Sequence, residues 1–223
     1  MKSALTVIES LESRTLMSAS PFSTAVAADR LQVKADFLKF RSDAAAASAK
    51  LLVDLSAMQG DHLAAATTVA PLVKQMRTDL KTAGHTLLLD RLNESAAALG
   101  DESAIVSVQR HILLDKKNPT AETADHAALM ADRVKLQTDL IAGLNSRIAT
   151  RQAGETTIFN DISAINEAAT TDPHSTAKLQ LDLGTLLADR STKMQTVTAD
   201  LVVLVQDRTQ LSSDLAAEAE LTT

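Results

Sequence analysis

Five histidines, His62, His85, His111, His126 and His174, are the first residues to test for chemistry, because an imidazole can ligate a metal or move a proton near neutral pH. Their spacing supports neither role. The chain has no H-E-x-x-H motif and no E-x-x-H pair of the kind that builds di-iron sites inside four-helix bundles. Glu122 and His126 share a helix face at i, i+4, a pair that chance supplies easily. Serines and threonines are abundant but lie in helical segments without a nucleophile elbow or a Gly-rich oxyanion turn. The 6 glycines form no G-x-G-x-x-G or phosphate-cradling loop, and with 0 cysteines there is no thiolate ligand or thiol nucleophile. Arg151, Arg190 and Arg208 sit at seam positions of long helices, where a polar group lowers stability but can fix register. The sequence therefore assigns no catalytic, cofactor-binding or metal-binding residue and no cofactor, and it predicts a protein that is not an enzyme.

The elements that would carry any such residues are marked by four prolines, Pro21, Pro71, Pro119 and Pro173, spaced 50, 48 and 54 residues apart. Proline lacks a backbone N–H and has a fixed φ, so it suits a helix's first turn and breaks a helix interior. Asn118 and Asp172 stand as N-caps directly before two of them. The spacing predicts four legs at about 21–68, 71–117, 119–169 and 173–221, each roughly 70 Å long at 1.5 Å per residue. Short turns force antiparallel neighbours, so the expected fold is all-α, an elongated up-down-up-down four-helix bundle or coiled coil forming a single domain over 21–223.

The apolar spacing agrees. In the fourth leg Leu183, Leu187, Arg190, Met194, Val197, Leu201, Leu204, Arg208, Leu211 and Leu215 follow four-three spacing, the period of a coiled-coil seam. The third leg repeats it from Met130 through Val134, Gln137, Ile141, Leu144, Ile148, Arg151 and Glu155 to Ile158, Ile162 and Ile165, with an irregularity expected near Gly154. In the first leg the seam runs from Val26 through Phe37 and Phe40 to Leu51 across an alanine-rich middle. The second leg is the least regular, and Gly100-Asp101 is expected to break it. With no Trp or Tyr and 4 Phe, the core is built from small aliphatic side chains, which suit a narrow seam between helices about 8–10 Å apart.

Short segments recur. Ala28-Asp29-Arg30-Leu31, Ala131-Asp132-Arg133-Val134 and Ala188-Asp189-Arg190-Ser191 resemble one another, and Asp-Arg occurs five times against about one expected by chance. Adjacent helical residues point about 100° apart, so each arginine is expected to pair with a neighbouring helix. Counting from the turns places Arg91, Arg151 and Arg190 at one height, and Arg30, Arg133 and Arg208 at another, with a partly buried member bonded to a carboxylate in each group. The same counting puts Gly60, Gly84, Gly154 and Gly184 at a common level.

Formal net charge is −6, with acidic and basic residues spread along the chain, which leaves no basic face for a nucleic acid. The longest aliphatic run, Leu201 to Val205, is far shorter than the about 20 residues of a membrane span. Residues 1–20 are expected to be a flexible segment, since Glu9 and Glu12 interrupt the apolar stretch before a secretory core can form. Leu11-Glu12-Ser13-Arg14 followed by Leu16-Met17-Ser18-Ala19 resembles the LEPR-XLL sorting motif found near the N-terminus of planctomycete surface or exported proteins. Ser13 stands where that motif has Pro, and Met17 where it has Leu. The resemblance covers residues 8–19 only, assigns no family to the rest of the chain, and implies export to the cell surface or medium of a bacterium.

Together these features point to a non-enzymatic, exported helical structural or interaction module that presents its faces to a protein partner or to copies of itself. The alternative is a bundle that binds a lipid or another amphiphile, for which the alanine-rich core is permissive but the absence of Trp and the acidic balance give no support.

Overall fold

The computed structural model describes residues 24–62, 69–114, 118–171 and 177–221. Four helices fill them: α1 (Thr24–His62, 39 residues), α2 (Val69–Leu114, 46), α3 (Pro119–Thr171, 53) and α4 (Ala177–Leu221, 45). Among the described residues there is no strand, and the chain is an all-α helical bundle. Pro119 opens α3 as expected. Asn118 caps it, accepting the Ala121 N–H on its side-chain oxygen at 3.4 Å while its own carbonyl takes the Glu122 N–H at 2.9 Å. Pro71 is the third residue of α2, still inside the first turn, where a missing N–H leaves no carbonyl without its partner. Pro21 and Pro173 lie outside the described residues, as does the sorting-like segment of residues 1–20.

The helices contribute to two compact units. Unit 1 takes α1 as far as Asp36, α2 from Asp90, α3 as far as Asn145 and α4 from Val203; unit 2 takes Phe37 to Leu89 and Ser146 to Val202. In unit 2 a single core joins all four helices through Leu51, Val73, Met76, Ile158, Ile162, Ile165, Leu179, Leu183 and Leu186. Side chains of this size each contribute about 1.5–3 kcal/mol on full burial, which makes this layer the main support of the unit. Unit 1 has two smaller clusters. Val26 and Val33 pack with Met130, Leu211 and Leu215, while Ala98 of α2 packs on Leu136 and Leu140 of α3.

Polar links join neighbouring helices within each unit, and the two between α1 and α4 show that this pair runs antiparallel. In unit 2, Lys39 and Lys50 of α1 reach Asp200 and Asp189 of α4, and Arg190 of α4 reaches Glu155 of α3. In unit 1, Arg208 of α4 donates to Gln137 of α3 at 2.9 Å, and Lys135 of α3 binds Asp101 of α2.

The expected break near Gly100 is absent: α2 runs unbroken from Val69 to Leu114. A helical glycine costs only about 1 kcal/mol relative to alanine. Here buried Ala98 and the Asp101–Lys135 pair anchor both sides of it to α3. Gly154 likewise sits inside a continuous α3. A Cβ on Gly154 would stand 3.0 Å from the Ala83 Cβ, so this glycine lets α2 and α3 approach closely.

Candidate functional site

Beside Gly154, unit 2 holds a half-open cavity of about 320 Å³ to which all four helices contribute. Leu51 and Leu55 of α1, Leu80, Ala83 and Leu87 of α2 and Ile158 of α3 form apolar walls. Exposed Leu52 and Gly84 mark its mouth between α1 and α2, while buried Arg190 and Ile158 lie at its floor. Its charged lining is Arg151, Glu155, Arg190 and Lys193, three cations and one carboxylate in a chain of net charge −6.

The floor is organised by one ion pair. Arg190 donates from Nε at 3.0 Å and from Nη2 at 2.6 Å to the same Glu155 oxygen, and its side chain is 6% exposed. Charged hydrogen bonds from a rigid guanidinium hold both side chains in one geometry. Burial is the main influence on half-buried Lys193, lowering its pKa; Glu155 opposes that shift, and Arg190 and Arg151 add to it. The hydroxyl of Ser48, also in the wall, donates to its own helix at the Ala44 carbonyl, 2.7 Å away. Thr78, Thr82, Thr86, Thr156, Thr157 and Thr185 do the same one turn back along their helices. These hydroxyls are engaged in backbone bonds on helix surfaces.

Unit 1 presents a different surface. Along α2, Leu92, Ala96, Leu99, Ser103, Val106, Arg110 and Leu113 repeat at four-three spacing, and every one is exposed. Leu92, Leu99, Val106 and Leu113 keep 57%, 48%, 49% and 65% of their area in solvent, values opposite to those of the seams buried in α3 and α4. Single exposed leucines are ordinary, whereas a contiguous exposed stripe of coiled-coil period marks an unpartnered face.

Carboxylates pair across α1 and α4 in the same unit. Asp207 is pushed up to about 6 by burial, by a hydrogen bond with Asp36 and by the charges of Asp36 and Asp29. Asp29 is raised by burial and then by its contact with Asp214. In unit 2, burial followed by the Asp189 contact raises Asp54, and burial followed by the Asp79 charge raises Asp161.

The arginine groups are met in part. Arg190 is buried against a carboxylate on another helix and shares the cavity with Arg151, whereas Arg91 belongs to the other unit. In the second group Arg208 meets the amide oxygen of Gln137, and half-buried Arg133 lies within the fields of Arg30 and Glu218. Gly84 and Gly154 share the cavity wall, but Gly184 lies six residues from Arg190 along α4, about 9 Å, and is not part of it. The surroundings of Gly60 are outside the described set, as are the side chains of His62 and His174. His85, His111 and His126 are exposed, and no group of three or more His, Asp or Glu placed to hold a metal ion occurs among the described residues.

Sequence reasoning missed both the cavity and the exposed stripe. The four-three spacing of Leu92, Leu99, Val106 and Leu113 was a readable signal, diluted by Ala96, Ser103 and Arg110 and interrupted by the expected break at Gly100. The class these observations define is an all-α helical-bundle protein with an amphipathic cavity in unit 2 and an exposed coiled-coil-period face on α2. No family model, curated protein or solved structure matches the chain. None of its described helices is long and apolar enough to cross a membrane.

Proposed function

We propose that this chain is a non-enzymatic helical interaction module, exported from a bacterial cell, which pairs with a second copy of itself through α2. The exposed stripe carries the reading. Taken in reverse order the stripe is complementary to itself to within one residue: Leu92 comes near Leu113, Leu99 near Val106, and long Arg110 near small Ala96. Such a surface suits the isologous interface of a two-fold dimer, with the two helix dipoles opposed. The sorting-like residues 8–19 support the export half of the reading.

Light scattering on the eluting full chain is expected to give the mass of a dimer. Leu99→Lys combined with Val106→Lys should give a monomer of unchanged helicity, because both positions are solvent-facing in the single chain. A wild-type monomer at high concentration, or a doubly substituted chain that still dimerises, refutes the pairing. Export is checked separately. Residues 1–20 fused to a reporter should move it out of the cytoplasm of a planctomycete host, and a reporter retained inside refutes that half.

A further inference from the structure

The cavity of unit 2 has features that helix packing alone does not explain. Gly154 has a packing reason, its closeness to Ala83; Gly84 has none, since a Cβ there meets no atom within 4 Å. Helix interiors disfavour glycine relative to alanine. Its absent side chain instead leaves open the mouth that it shares with Leu52. The floor is equally unusual. Arg190 and half-buried Lys193 line the cavity together, and Glu155, the carboxylate beside them, is already bound to Arg190. Cationic charge gathered in a partly desolvated site attracts an anion, while the leucine walls disfavour a fully hydrated one such as phosphate.

We propose that the cavity binds a single-chain anionic amphiphile, with its carboxylate at Lys193 and Arg190 and its apolar chain among Leu51, Leu55, Leu80 and Leu87. Volume limits the ligand. A cavity of 320 Å³ holds about ten waters at roughly 30 Å³ each, which suits a ligand of about ten to twelve heavy atoms. Mostly apolar walls with a few convergent polar groups are the usual make-up of a small-molecule site. The incoming carboxylate also offsets the effect of burial on the Lys193 ammonium. This site is independent of the α2 stripe, so either reading can fail without the other.

Decanoate, used below its micelle concentration, is the probe. Calorimetry should show one decanoate per chain, and binding should raise the melting temperature. Decanol and decyltrimethylammonium, with the same chain and no negative charge, should bind about tenfold to a hundredfold more weakly, the difference expected for a charged hydrogen bond. Lys193→Glu should lose binding by a similar factor, and Lys193→Arg should retain it. Gly84→Leu should block the mouth while preserving the fold, since the space beside that Cα is open. It decides the matter if the charge reversal does not fold. The proposal is overturned if decanoate gives neither heat nor a thermal shift, if decanol binds as tightly as decanoate, or if Gly84→Leu binds decanoate like the wild type.

Discussion

Glu155→Leu is expected to lower the melting temperature more than Arg190→Met, although the two residues form one ion pair. Removing one partner of a buried pair typically costs about 3–5 kcal/mol, because the other charge is left without compensation. In a chain of this length that corresponds to a loss of about 6–20 °C. The two substitutions differ in what remains. After Arg190→Met the Glu155 carboxylate still has Lys193 and Arg151 around the same cavity, so part of its compensation survives. After Glu155→Leu three cations remain with no carboxylate in the lining. Arg190→Met should therefore show about half the loss, and the double variant should melt above Glu155→Leu, because an apolar pair strands fewer charges. Thermal unfolding followed by circular dichroism reads all three. Shifts under about 2 °C for both single variants would assign the pair to the weakly contributing class of solvent-screened ion pairs.

The second expected result is a protein that becomes more stable on mild acidification. Asp207 has a folded pKa of about 6, above the about 4 of an unfolded aspartate, so the folded state binds the extra proton. Its ionised form disfavours folding above pH 6, and that penalty disappears as pH falls from about 6 to 4. Asp29, Asp54 and Asp161 are raised as well and act in the same direction. Asp43, Asp139 and Asp189 oppose them, each lowered first by the lysine it binds, Lys39, Lys135 and Lys50 respectively. Their contribution is complete above about pH 4 and is lost only below it, as pH falls through their folded values. The melting temperature should accordingly rise between pH 7.5 and about 4.5 and then fall. The charges that act on Asp207 are those of Asp36 and Asp29, both acidic, and both push its pKa up. Asp207→Asn, which keeps a hydrogen-bonding side chain opposite Asp36, should melt higher than the wild type at pH 7.5 and flatten the rise. A wild-type profile that falls steadily from pH 7.5 to 4.5 would remove the carboxylate pairs from any role in stability.

Sequence alone determined the fold class and the start of α3. Each of these is a local property: Asn118-Pro119 sets a helix start within one turn, and the four-three run from Leu183 to Leu215 sets a buried face wherever the partner helix lies. It did not determine whether α2 survives Gly100, since that is a contest between a local cost of about 1 kcal/mol and packing on α3 supplied from far along the chain. The ion pair at the cavity floor and the carboxylate pairs of α1 and α4 depend on how the helices are registered. Arg190 lies 35 residues from Glu155, and Asp207 lies far along the chain from Asp36. Only tertiary structure decided these, because sliding one helix past another by a heptad restores the four-three register while giving each polar side chain a different neighbour.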